Sequence, residues 1–295
     1  MKSVEYNLTV KQFAKLCNTT RDTLRHYYET GILIPYIDED NGYHYYSSAQ
    51  LGSFYYINNL RELGYSIKDI RQFMSSFSLS SYSNLFEAKR SEINQLIKKL
   101  ESDLRTIEQI QWLVKQIDLC EEGLKINQNI QDAGPVTTSP KLSSVKDICF
   151  FKTSIQTPNM ATNMSKITKD INCHIDKIKC FDDVTLLPMG STISFSCLES
   201  KDFHYNDLFS FSLKSKKKKS YSKSFDMDYL KDQTILHCVH DSRQDIRKSY
   251  DAIIKKIKAD NLKVCSDLYI FSLFNIYGIK HQHSYLKYLM IAVNK

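Results

Sequence analysis

The chain has 295 residues, enough for two or three cores rather than one, and its 42% apolar and 25% charged content is ordinary for a globular protein. It contains no run of 18 apolar residues, and MKSVEYNLTV lacks the apolar core of a signal peptide, so no membrane span is expected and the expected location is the cytoplasm. The net charge of +7 invites a nucleic-acid reading, but residues 1–80 balance eight Lys/Arg against eight Asp/Glu, and six lysines crowd into LKSKKKKSYSK (213–223). That run reads as a solvated hairpin loop, so any case for DNA must rest on local geometry.

In chain order, Thr9 with Gln12 forms a capping-box pattern, and Val10, Phe13, Ala14 and Cys17 give the stripe of a short helix. "CNTT" breaks it, and Thr19 or Thr20 caps a second helix whose Leu24 and Tyr27 face inward before Gly31 ends it. The gap of about three residues is helix-turn-helix spacing. Arg21, Arg25, His26 and Tyr28 crowd the face that should be wet, as if something other than water meets it. After Pro35, "YIDEDNGYHYY" predicts a hairpin with a two-residue Asn41-Gly42 turn, a wing with Asp38, Glu39 and Asp40 at its tip. Ser47 opens a third predicted helix, and Ser66 with Asp69 caps a fourth.

Residues 81–119 contain no Gly or Pro, and Ile93, Ile97, Leu100, Leu104 and Ile107 form a heptad seam continuing through Gln111 and Val114. Such a helix needs a partner. A homodimeric coiled coil is the preferred reading, and docking on the chain's own C-terminal domain the alternative. Residues 121–147 read as a linker, and the rest as α+β: β-rich runs around "ICFFKTSI", "TLLPMGSTISFSCL", "QTILHCVH", "LKVCSDLYIFSLFNIYG" and "SYLKYLMIAV", with a helix striped by Ile246, Tyr250, Ile253 and Ile257. The predicted organisation is 1–80 winged helix-turn-helix, 81–120 coiled coil, 121–147 linker and 148–295 C-terminal domain.

"TLRHYYETGILIP" followed by "NGYHYYS" resembles the MerR-type transcription regulators, whose pattern is roughly L-R-Y-Y-E-x-x-G-L-L-x-P and then G-Y-R-x-Y. "LRELGYSIKDI" (60–70) and the long helix also look like that family. The C-terminal half is similar to the GyrI-like effector domain of its BmrR-like multidrug-binding subgroup, through Ser266, Asp267, Tyr269, Tyr277 and Tyr285. The resemblance implies a dimer with an antiparallel coil, bound to a promoter palindrome. Its second helix would lie in the major groove and its wing on the adjacent backbone. Arg25 and Tyr27 would then contact phosphates, and Arg21 and Thr23 would approach base edges, with Thr20, His26, Tyr43, His44 and Tyr45 completing the DNA set. It departs from the family at His26, Tyr28 and His44, each still able to donate to phosphate. The resemblance further implies RNA polymerase as a partner and activation through DNA distortion when an effector binds.

In such effector domains a cation sits among aromatic rings over a buried glutamate. Here Ile270 stands at the glutamate's place, with Met189, Tyr205, Phe274 and Tyr285 as the other expected effector contacts. A small neutral aromatic or lipophilic effector is therefore expected. Three alternatives are weaker, and in the first of them these residues simply fill a core and the C-terminal domain binds no small molecule. A metal sensor would use Cys120, or Cys173, His174 and Cys180 on a predicted helix, but the eight scattered cysteines form no CxxC pair and read as structural thiols. A hydrolase would need a base that Ile270 does not supply. No cofactor, metal or catalytic residue is assigned.

Overall fold

A computed structural model describes residues 8–75, 78–120, 137–156, 164–179, 184, 188–213, 226–272 and 285–295. The lysine run at 214–223, residues 121–136 of the expected linker, Cys180, Phe274 and Tyr277 lie outside the described residues. The chain divides into two units, Met1–Asn94 and Gln95–Lys295.

Local capping sets the helices of the first unit. Strand β1 (Leu8–Thr9) runs into α1 (Val10–Leu16), where Gln12 N–H donates to Thr9 Oγ1 at 3.3 Å and Thr9 N–H donates to Gln12 Oε1 at 2.9 Å. Helix α2 (Arg21–Glu29) begins at Thr20, whose Oγ1 accepts from Thr23 N–H at 3.1 Å. It ends in a Schellman turn. Gly31, at φ +70°, donates to Tyr28 O at 2.8 Å, and Ile32 N–H donates to Tyr27 O at 2.9 Å. Leu24 and Tyr27 pack with Phe13, Ala14 and Phe54, so α1 and α2 share a core with α3 (Gln50–Glu62) and α4 (Ile67–Ser75). Ser66 and Asp69 cap α4 as predicted, Asp69 N–H donating to Ser66 Oγ at 3.1 Å. α3 starts three residues later than the predicted opening at Ser47, because Ser47 is buried in a turn that donates its N–H to Gln50 Oε1 at 2.9 Å.

The wing is strands β2 (Tyr36–Ile37) and β3 (His44–Tyr46), in a sheet ordered β1-β3-β2. Its turn is not the two-residue Asn-Gly type. Ile37 pairs with His44, and Asp38 N–H bonds Tyr43 O at 2.9 Å, which leaves a four-residue loop from Glu39 to Gly42. Two side chains favour the longer loop. Asp38 turns inward and accepts from Asp40 N–H at 3.1 Å, while Asn41 accepts from Tyr43 N–H at 2.8 Å. Burying Asp38 also takes one of three acids off the wing tip.

Helix α5 (Leu79–Cys120) is one 42-residue element. Along it Ile93, Leu96, Ile97, Leu100, Leu104 and Ile107 are exposed. Its last turns dock within the second unit, where Leu113, Ile117 and Cys120 are buried against Phe211, Tyr288 and neighbouring residues, with Trp112 packed beside them. The alternative reading, docking on the C-terminal domain, thus holds for the last turns of the helix, and the apolar seam before them stands exposed in the single chain.

The second unit is an antiparallel sheet of eight strands among the described residues, ordered β4-β9-β11-β10-β6-β7-β5-β8. They are β4 (Lys141–Val145), β5 (Ile148–Ser154), β6 (Gly190–Ile193), β7 (Asp207–Ser212), β8 (Asp226–Leu230), β9 (Gln233–Asp241), β10 (Lys263–Ser272) and β11 (Leu286–Asn294). Residues 141–145, expected in the linker, pair along β9 instead, where Leu142 faces Leu236. Helices α6 (Met164–Ile178), α7 (Phe195–Glu199) and α8 (Arg247–Ala259) pack on one face, and the end of α5 on the other. Period-two alternation divides the side chains: Leu268 and Ile270 go to the α8 face, Tyr269 and Phe271 to the α5 face. A bulge lies between Val264 and Leu268, and Ser266 Oγ fills the gap by accepting Ala292 N–H at 2.9 Å.

Among the described residues of this unit, His174, His237 and His240 are buried. His174 on α6 bonds Thr153 and Ser210 hydroxyls at 3.0 Å each, and His237 on β9 bonds Tyr288 Oη at 3.0 Å. Burial, aided by Lys177 and Lys141 respectively, pushes both down to about 4. The unfolded chain then binds protons that the folded chain refuses between the ordinary histidine value and 4. Stability is full above about pH 6.5 and falls as pH drops toward 4, by up to about 3 kcal/mol per histidine. Thermal unfolding followed between pH 7.5 and 5 should show a steadily falling Tm, steeper than in His174→Asn.

Candidate nucleic-acid interface and effector surface

The cap at Thr20 aims the first turn of α2 at the wing. Arg21 of α2 and Lys11 of α1 line, together with Tyr43, His44 and Tyr45 of the wing, one cleft of about 290 Å³. Tyr28 and His44 meet edge to face, ring centroids 5.0 Å apart, and this contact holds the wing against α2. Tyr43 is 67% exposed, and Arg21, Arg25, His26 and Thr20 all reach solvent. Arg25 leans on its own helix, 2.9 Å from Asp22 and 3.8 Å from Glu29, in exposed pairs that a phosphate can replace at little cost.

Eight of the nine nominated DNA residues therefore lie at least partly open along α2 and the wing. Tyr27 does not. It is 5% exposed, its ring tilted against Phe54 at 5.9 Å, because it belongs to the apolar stripe that holds α2 to α3. Lys11 was missed. It lies on α1, away from the motif, and only the fold brings it to Arg21.

The effector residues gather differently. Ile270 is 1% exposed and packed among Leu236, Tyr250, Ile253 and Leu289 under α8, so it lines no opening. β-strand alternation predicts which residues share its face, but not that a helix covers that face. Tyr205 and Tyr285 are half-buried and converge on Lys287, whose Nζ is 3.5 Å from Tyr205 Oη and 5.6 Å from the Tyr285 ring centre. Met189 is half-buried just before β6. Lys287 is the residue that sequence reading missed, because its neighbours in β11 are apolar.

Among the described residues no group of three or more Cys, His, Asp or Glu is placed to hold an ion, and Cys180 lies outside them. His174 has both ring nitrogens engaged by hydroxyls, Cys173 is exposed, and Cys120 is buried with its sulfur 3.3 Å from His237 Nδ1. No helix among the described residues is long and apolar enough to cross a membrane.

Paired short helices with an adjoining hairpin define a winged helix-turn-helix module. Residues 8–76 match the family described as "MerR HTH family regulatory protein", and this part of the chain is a MerR-type helix-turn-helix domain. The chain is 32% identical over 124 residues to the multidrug-efflux transporter 2 regulator of Bacillus subtilis (strain 168), a match covering 42% of this chain and 43% of that protein. Among solved structures it overlays on the EcmrR–DNA complex in EcmrR-RPo (19% identity, 97% of this chain and 99% of that one, TM-score 0.38). It also overlays on MtaN, the N-terminus of the Bacillus subtilis multidrug transporter activator (25% identity, 33% of this chain and 98% of that one, TM-score 0.26). Overlays with TM-scores this low add nothing to the sequence match.

Covering Ile270 gives a direct expectation. Ile270→Glu places an unpaired carboxylate in a packed core and should lower unfolding free energy by about 4 kcal/mol or more in urea titration. A residue lining an open pocket would tolerate the change with a far smaller loss.

Proposed function

We propose that this chain is a dimeric transcription regulator that grips a promoter palindrome through α2 and the wing. The observation that carries this reading is the cleft that Arg21 and Lys11 share with Tyr43, His44 and Tyr45. A cationic helix start beside a hydrogen-bonding hairpin suits one groove and its flanking phosphates. The exposed seam of α5 supports dimerisation, since Leu96, Leu100 and Leu104 are each more than half exposed in the single chain. Two copies would present two half-sites, and activation would proceed by distorting the promoter for RNA polymerase.

The effector in this reading is an uncharged aromatic or lipophilic molecule held by Tyr205 and Tyr285. Lys287 between those rings supports that class, because a half-buried cation repels a second one. Selecting bound duplexes from a random-sequence pool with the full-length protein tests the main proposal. A palindrome should emerge. Arg25→Ala should weaken all duplexes and flatten the salt dependence, Arg21→Ala should also alter base preference, and Asp22→Asn should tighten binding by freeing Arg25. If Arg21→Ala and Arg25→Ala both bind like wild type, α2 is not in the groove.

Light scattering should give about twice the 34.4 kDa chain mass, and Leu100→Glu should reduce it toward the monomer. For the effector, calorimetry with a neutral aromatic dye and its cationic isostere should favour the neutral one, and Lys287→Glu should reverse that order.

A further inference from the structure

Within the second unit, Cys197, His204 and Asp202 form a connected set to which the proposed function gives no role. Cys197 Sγ lies 3.6 Å from His204 Nε2, and His204 Nδ1 lies 3.1 Å from Asp202 Oδ2. With Nδ1–H donating to the carboxylate, Nε2 is left bare toward the thiol. A nucleophile, a base and an orienting acid thus stand in line.

Backbone geometry, not chance contact, holds the three together. Helix α7 is capped by Ser194, whose Oγ accepts Cys197 N–H at 3.3 Å. It closes in a Schellman turn: Lys201, at φ +61°, donates to Leu198 O at 3.4 Å, and Asp202 donates to Cys197 O at 2.9 Å. That second bond ties Asp202 to the residue bearing the thiol. His204 N–H then donates to Asp202 O at 2.9 Å, which folds the imidazole back over α7. Asn206 locks the far end, donating to Thr192 O at 2.9 Å and accepting Ser194 N–H at 2.7 Å. A non-glycine residue at positive φ costs free energy, and the hydrogen bonds around Lys201 hold the turn against that cost.

The site is also reachable. Cys197 is half-buried and the His204 side chain is 28% exposed, whereas Cys17, Cys120, Cys149 and Cys238 are buried. From this geometry we infer that Cys197 is a covalent capture site for soft electrophiles of the α,β-unsaturated carbonyl class. His204 Nε2 accepts the thiol proton while sulfur forms a bond to the β-carbon. The π pair moves to the α-carbon, which takes the proton back from the imidazolium. The sum is addition of S–H across C=C, with no oxidant or leaving group. Asp202 is a positioning residue that fixes the tautomer. The inference stands on the second unit alone and is independent of the reading of the DNA-binding domain.

Exposed Cys173 and Cys265 are internal controls. Full-length protein treated briefly with acrylamide, then digested and analysed by mass spectrometry, gives the adduct rate at each cysteine. Cys197 should react about tenfold faster than either control at pH 7, the advantage expected of a base-assisted thiol. His204→Gln should bring Cys197 down to the control rate, and Asp202→Asn should give an intermediate rate. A variant that unfolds announces itself by labelling the fully buried Cys238, and the wild-type comparison of Cys197 with Cys173 and Cys265 then decides alone. Equal rates at Cys197 and Cys265 in wild type, or an unchanged Cys197 rate in folded His204→Gln, would overturn the inference.

Discussion

The docking of the last turns of α5 on the aromatic face of the C-terminal sheet is the constraint on which the second unit depends. Leu113, Ile117 and Cys120 supply the apolar contact, and Trp112 lies within 5.6 to 6.2 Å of the rings of Phe211, Phe271 and Tyr288. Each buried aliphatic side chain contributes about 2 kcal/mol. Polar bonds give the contact its register. Gln109 Nε2 donates to Phe211 O, and Cys120 Sγ meets His237 Nδ1, which also bonds Tyr288 Oη. Without this cover Phe211, Phe271 and Tyr288 would face water together, an apolar patch of the kind that soluble domains avoid.

The same sheet face carries a second, costlier feature. Lys152 on β5 is almost fully buried, with Asp228 at 2.9 Å, Asp267 at 3.5 Å and Asp226 at 3.6 Å, while Tyr269 donates to Asp228. These pairs join β5, β8 and β10, three strands that are not all neighbours in the sheet. A buried ammonium needs such company, since removing one partner leaves a charge that the interior cannot solvate. The cluster fixes edge strand β8 in place more than it adds net stability.

How much was legible follows from how local each signal is. The caps at Thr9, Thr20 and Ser66 and the stop at Gly31 depend on three or four consecutive residues, and they were readable. The α7 turn was not: "FSCL" alternates like a strand, and only the Ser194 cap and the Lys201 turn make it helical. The docked stripe of α5 was hidden as well, because Gln109, Leu113, Gln116, Ile117 and Cys120 include two amides and do not read as apolar. Tyr27 was claimed by both a motif and a stripe, and burial of its ring in the core gives it to the stripe. For Ile270 the pleat gave the correct partition between faces, yet which face is sealed is a tertiary fact set by α8.

That pleat also bounds how one face of the second unit can influence the other. Lys287, beside Tyr205 and Tyr285, is followed in β11 by Tyr288, which lies beneath Trp112 and bonds His237. In β9, His237 on the α5 face is followed by Cys238 on the α8 face. Consecutive residues of a strand project to opposite faces, so the two surfaces are one peptide unit apart. Neighbouring strands pair closely here: Tyr288 opposes Val239 and Phe271, and Lys287 opposes His240 and Ser272. A tilt of β11 that reorients Lys287 must therefore shift Tyr288 as well. Tyr288 cannot shift without moving against Trp112 or straining its bond to His237, because a packed core offers few intermediate positions. Physical coupling between the Lys287 surface and the docked end of α5 thus needs no long chain of contacts, only the stiffness of two paired strands.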